Sequence, residues 1–290
     1  MQNIFSVLMK KKSYYIKEIR IINGPHQGGW VETETGESWF LHFQDKGAYG
    51  RIVHLQPMYW ENDWPVMGHN QNDEGIGEPV LQWDKPKSKV ASKIVVPAMS
   101  DDFSSEQLGL QWQWQANCKS HWYELKEQML RLHAIGNPDE SNLYHIPNIM
   151  TQKFPAETFK VTTKLRFAPE TKHDLTGLVI LGKQHASIAI KQVEEQLGVF
   201  YVTGDEEKLQ NEVCVGILKA DELSIRVEVD EGAICSFSYS EDGVTFTKVD
   251  EIFEAIPGKW VGAQIGIYCY NTRHDNSKGY AEFDFFKVHK

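Results

Sequence analysis

Within the stretch NGPHQGGW, residues 23–30, a histidine stands between Pro25 and Gln27 and is followed by Gly28 and Gly29. Proline fixes φ just ahead of the imidazole, and glycines let neighbouring backbone pass close by. Few other ionisable groups in the chain have so constrained a setting. An imidazole held in this way is a candidate for site chemistry. The plainer alternative is a histidine satisfied inside a sheet, and spacing alone favours it. Two carboxylates also have the right type for cation chemistry: Asp102 in SDDF and Asp284 in EFDFF open and close the strand-rich part of the chain. First and last strands are often neighbours, so this pair could share a calcium ion with backbone carbonyls. Two acids without the remaining oxygen ligands are a weak signal, and solvated strand ends are commoner. Cys118, Cys214, Cys235 and Cys269 lie far apart without CxxC or CxxH spacing, which argues for buried free thiols rather than a zinc site.

The elements that must position these residues are strands. WVET and ESWFLHFQ flank a short hairpin turn, ETGE, and DKGAYG turns the chain into RIVHLQPM. In SWFLHFQ, Trp39, Leu41 and Phe43 alternate with Phe40, His42 and Gln44, the period of a sheet strand. A meander of three or so strands is marginal by itself and must pack against something else. Residues 69–93, polar and rich in glycine and then lysine, read as a linker. Beyond residue 94, β-branched and aromatic runs such as FKVTTKLRF, TGLVILG, ASIAIKQV, LSIRVEVD and AEFDFFKV recur at short intervals, with turn signals EDGV and IPGK between them. That pattern predicts a two-sheet β-sandwich over 94–290. DEIFEAI is the one plausible helical turn. Residues 1–21, lysine-rich, form an atypical N-terminal segment.

The chain has 290 residues, 41% of them hydrophobic, and a net charge of −10, which argues against a nucleic-acid footprint. No segment approaches the roughly 18 apolar residues of a membrane span. The apolar NIFSVL precedes its lysines, the wrong order for a signal peptide, and the compartment stays open.

At this point the stretches join up. INGPHQGGWVETETGESWFLHFQDKGAYGRIVHLQPM, followed by WPVMG, resembles the last part of the five-bladed propeller of glycoside hydrolase family 43, in its β-xylosidase and α-L-arabinofuranosidase group. MSDDFSSEQLGLQWQWQAN and the closing GYAEFDFFKV resemble the concanavalin A-like domain that follows that propeller. The resemblance covers about residues 22–290, and its most specific parts are Gly-Pro-His-Gln-Gly and LGLQWQW. It implies an all-β chain: a remnant of the last propeller blade at 22–68, then a concanavalin A-like (jelly-roll) sandwich. It also implies that His26 lies on the propeller axis beneath a sugar pocket, facing a divalent cation, usually calcium, largely through water. Arg51, in AYGRIVHL, matches the arginine directed into the sugar subsite, where a guanidinium donates to hydroxyls and steadies the acid carboxylate. On the residues alone, a strand arginine in a surface ion pair is equally open. Trp260, in PGKWVGAQIGIYC, aligns with an aromatic ring that the sandwich lends to the pocket rim. Trp112 and Trp114 share a strand face and could stack a pyranose ring, although core packing is more frequent. Gln27, His42 and His54 read as structural or supporting.

The same resemblance defines what is missing. The family inverts the anomeric centre with a general acid and a general base, both carboxylates flanking the glycosidic bond, helped by a third aspartate. These come from earlier blades, whereas only 25 residues precede His26 and the one acid among them is Glu18. The expectation is a C-terminal portion of a glycosidase acting on xylo- or arabino-oligosaccharides, without catalytic carboxylates and inactive alone. The implied partner is a separate chain supplying the missing blades. The alternative is a non-catalytic carbohydrate-binding or structural sandwich, and xylose against arabinofuranose stays open.

Overall fold

A computed structural model describes residues 25–70, 76–91, 93–136, 142–207, 210–273 and 277–290; the N-terminal segment 1–21 lies outside them. The described residues fall into two compact units, divided between Val95 and Val96. Among them no helix is long and apolar enough to cross a membrane.

The first unit is a four-stranded antiparallel sheet in sequence order: β1 (Gly28–Glu32), β2 (Ser38–Asp45), β3 (Arg51–Glu61) and β4 (Trp64–Met67). This up-and-down meander has the form of a single propeller blade. The expected hairpin turn closes the β1–β2 connection: Thr33 N donates to Glu37 O, and Thr33 O accepts from the N–H of Gly36, whose φ of 83° suits glycine. Alternation sorts the side chains as the period-two pattern requires. Phe40, His42 and Gln44 are buried, while Leu41 and Asp45 are exposed. Part of the polar stretch after β4 adheres to this sheet. The buried amide of Gln56 donates to Val80 O (3.1 Å) and accepts from Val80 N (2.7 Å). Farther on, Lys87 N donates to the Glu37 carboxylate.

The second unit is a sandwich. Its strands are β5 (Gln113–Trp114), β6 (Tyr123–Lys126), β7 (Met129–His133), β8 (Ile135–Gly136), β9 (Met150–Lys153), β10 (Phe159–Ala168), β11 (Asp174–Leu181) and β12 (Gln184–Val193). There follow β13 (Gln196–Asp205), β14 (Asn211–Leu218), β15 (Glu222–Asp230), β16 (Ile234–Ser240), β17 (Thr247–Glu254), β18 (Gln264–Asn271) and β19 (Tyr280–His289). One sheet runs β17-β16-β15-β10-β19-β7-β6; the other runs β14-β13-β12-β11-β18-β9-β5, with β8 added beside β18. Between the sheets, alternate residues meet in one apolar core that includes Val161, Leu165, Leu178, Ile180, Ile188, Ile225, Val227, Ile267 and Phe283. The opening and closing segments of this unit lie side by side, with Asp101 bridging to Phe286.

The larger sheet buries its other face too. Leu175, Val179, Leu181, Phe200, Val202, Tyr268 and Tyr270 form a second core with Leu143, Ile146 and Ile149 from the segment before β9. All eight residues of β11 are therefore buried, which explains why TGLVIL reads as a continuous apolar run rather than an alternation. DEIFEAI is not helical; most of it lies in β17. Val249 and Phe253 both reach the core because residues four apart share one face of a strand, and the same spacing also suits one face of a helix.

Gly47–Tyr49, between β2 and β3 in the chain, group with the second unit. The Tyr49 hydroxyl accepts from Ala233 N (2.8 Å) and faces Glu157 O (3.3 Å), and Ala263 N donates to Ala48 O (2.7 Å).

Candidate functional site

His26 and Arg51 meet on one side chain. His26 lies just ahead of β1, and its N–H donates to Phe43 O at 3.0 Å. Its imidazole stacks on the Phe43 ring with centroids 5.1 Å apart and planes within 9° of parallel. The Arg51 guanidinium carbon lies 4.6 Å from the centroid of the same ring. The sheet register explains the encounter. Phe43 stands across from Val53, and Asp45 stands across from Arg51, so Phe43 and Arg51 are diagonal neighbours on one face. Gly28 is needed here, since a Cβ would come 2.0 Å from Leu41 O. Gly29 has open space around the position of a Cβ, so close approach accounts for only one of the two glycines.

His42 and His54, directly opposed in the ladder, belong to the other face. Their rings are 5.4 Å apart, and His54 Nε2 lies 3.2 Å from Gln44 Oε1. Burial lowers the pKa of both, reinforced for His42 by its proximity to His54 and for His54 by Lys46. Both imidazoles therefore back the sheet on the face away from Phe43.

The remaining candidates are in the second unit. Trp260, in the loop between β17 and β18, is 71% exposed and has φ of 66°. A non-glycine residue in the left-handed region is strained, and a large aromatic presented to solvent in that state is a feature that folding alone does not call for. Trp112 and Trp114 offer no open platform. Trp112 is buried against Phe286 and donates its indole N–H to Asp101 at 2.8 Å; Trp114 packs edge-on to Trp122. The Asp102 carboxylate accepts from Ser104 N and Oγ, and those bonds lower its pKa. Asp284 lies 3.8 Å from the Lys164 ammonium. Among the described residues no three His, Cys, Asp or Glu side chains gather as a metal site, so Asp102 and Asp284 are not joined by further side-chain ligands.

Sequence reasoning passed over Phe43. The turn DKGAYG, by setting Asp45 opposite Arg51, was the signal that could have found it. The arrangement around this ring offers a guanidinium and an imidazole on an exposed, partly aromatic surface, suited to donating hydrogen bonds to hydroxyl or carboxylate oxygens.

The family described as Beta xylosidase C-terminal Concanavalin A-like domain matches residues 100–289. The chain belongs to that family. A protein of Xylanibacter ruminicola provisionally named a beta-xylosidase is 34% identical over 87% of this chain and 45% of its own length. A beta-xylosidase of Formosa agariphila is 26% identical over 90% of this chain and 47% of its own. Among solved structures, a bifunctional GH43-CE protein of Bacteroides eggerthii superposes with a TM-score of 0.76 at 26% identity, covering 92% of this chain and 34% of that one. The chain thus spans about half the length of the curated relatives it matches. The alignments reach well beyond the sandwich, as the resemblance at Gly-Pro-His-Gln-Gly implied.

Proposed function

We propose that the chain is the C-terminal portion of an inverting glycoside hydrolase acting on xylan-derived β-xylosides or α-L-arabinofuranosides, and that it is catalytically silent alone. The observation that carries this reading is the convergence of His26 and Arg51 on one face of a blade-like sheet, in a chain whose remainder is the xylosidase C-terminal domain. In this reading Arg51 donates to sugar hydroxyls and steadies the acid carboxylate. The acid and base come from outside these residues. Inversion needs two carboxyl groups roughly 6.5–9.5 Å apart with a water between them. A single carboxylate such as Asp45 beside Arg51 cannot perform both proton transfers.

The fit to calcium is partial. At the candidate site the exposed imidazole is that of His26, and the described residues hold no three-ligand cluster. That suits contact through water with an ion whose other ligands lie elsewhere, and it does not suit a site built by these residues. A carbohydrate-binding role for the sandwich itself has less support: the outer face of its larger sheet is filled by Leu143, Ile146 and Ile149, and Trp112 and Trp114 are packed.

The test is release of the aryl group from aryl β-xylosides and aryl α-L-arabinofuranosides at neutral pH with calcium present. The 290-residue chain is expected to give only background, and activity is expected when a propeller part carrying the missing carboxylates is supplied. Turnover by the chain alone, lost on Arg51→Ala, would overturn the proposal.

A further inference from the structure

We propose that Phe43 is a positioning residue that holds the Arg51 guanidinium and the His26 imidazole in fixed relation; its relevance to sugar recognition rests on the reading above. Arg51 stands at the exposed start of β3, where a side chain with four rotatable bonds would ordinarily sample many rotamers. A flat ring 4.6 Å from its charged carbon restricts that freedom, because the cation is attracted to the negative face of the ring. His26 is tied to the same residue twice, through the main-chain bond to Phe43 O and through the ring stack. Phe43 itself is half-buried in β2, the strand next to both groups, and its strand neighbours Phe40, His42 and Gln44 are anchored on the opposite face. A rigid strand therefore carries the one surface that two otherwise exposed polar groups share.

The chemistry separates this role from plain packing. Leucine at position 43 keeps an apolar side chain and the backbone bond to His26, but removes the flat face and its quadrupole. Tyrosine keeps both. The test is NMR of the full chain with labelled arginine and histidine side chains. In the wild type, the Arg51 Hδ and Hε and the His26 ring protons are expected to carry ring-current displacements, and the Arg51 Nε order parameter to lie above the flexible range. In Phe43→Leu the displacements disappear and the order parameter falls below that of the wild type. Phe43→Tyr restores both. Unchanged Arg51 and His26 signals in Phe43→Leu overturn the proposal. Should that variant fail to fold, Arg51→Met is read at the Phe43 ring protons instead: a shift supports the contact, and no shift refutes it. Titration of the wild type with xylobiose is a separate arm. Absence of any Arg51 perturbation there counts against the sugar-recognition reading, while the side-chain order parameters alone decide whether Phe43 positions Arg51.

Discussion

Acid sensitivity of the sandwich should trace to one histidine. His185 is fully buried on the outer face of β12, with Nε2 3.1 Å from Gln210 Oε1. The same oxygen accepts from Leu143 N at 2.9 Å, so the imidazole and the segment that covers the second core share one acceptor. Gly204 opposes it so closely that a Cβ there would come 2.7 Å from the imidazole. Nδ1 has no partner, and a protonated ring would bury an N–H without an acceptor. Burial accordingly holds the His185 pKa down to about 4 from 6.5, a net effect that Gln210 and the charge of Asp205 only partly oppose.

The sign follows from which state binds the proton. Above pH 6.5 both folded and unfolded chains hold a neutral imidazole, and the stability is complete. As pH falls from 6.5 towards about 4, only the unfolded chain takes up the proton, so folding weakens by about 3 kcal/mol in all and by about 2 kcal/mol at pH 5. His185→Gln, neutral at every pH, should lack this component. The assay is urea unfolding of both proteins at pH 7.5 and pH 5, followed by the near-UV signal of the buried tyrosines of β18. Other titrating groups cancel in the comparison. The wild type should lose about 2 kcal/mol more than the variant between the two pH values. Parallel losses would refute the reasoning and mean that His185 is solvated or paired when charged.

Three further outcomes are expected. Gly28→Ala should disrupt the β1–β2 pairing, because its Cβ meets Leu41 O at 2.0 Å; about 1–3 kcal/mol of destabilisation should appear as early proteolysis of the first unit, and a protease pattern like the wild type's would count against it. Tyr49→Phe leaves Ala233 N without its acceptor and should lower the stability of the second unit by about 1–2 kcal/mol in denaturant unfolding, whereas an unchanged midpoint would show that those bonds are dispensable. Trp260→Gly relieves a left-handed backbone and should stabilise the chain by about 1 kcal/mol in denaturant unfolding; loss of stability would mean that the indole is a packing residue.

The sequence made the hairpins and the sandwich legible because alternation and turn residues are local signals. WVET-ETGE-ESWFLHFQ contains its own register, and with it the burial of Phe40 and His42. The second core was illegible for the opposite reason. Leu143 and Ile146 sit in an irregular segment, and nothing nearby in sequence says that they cover β11 and β18. Likewise Gly47–Tyr49 reads as a turn and nothing more, although Tyr49 is bonded to residues more than a hundred positions away. At the candidate site the sequence pointed to His26 and Arg51 as types and through resemblance. The ring that brings them together required the ladder, because a diagonal pair depends on a register that a one-residue slip would reverse.

The first unit also explains why a site of this kind needs more than its own residues. Val31, Leu41, Val53, Leu55 and Tyr59 lie on one face of β1–β3, and all five are exposed. Phe43 and Arg51 share that face, so the polar groups of the candidate site border an apolar surface rather than a solvated one. A lone sheet has no reason to carry apolar side chains on both faces, since burying only one suffices for it to fold against a core. A propeller blade does have a reason, because each blade packs between two others. Under the proposed reading, the surface that would exclude water from Arg51 is the one that five apolar side chains leave ready to be covered. Desolvating a guanidinium strengthens its hydrogen bonds to a sugar or a carboxylate, and in water those bonds are worth little. Under that reading, the geometry that leaves Arg51 in water would make it effective once that face is buried.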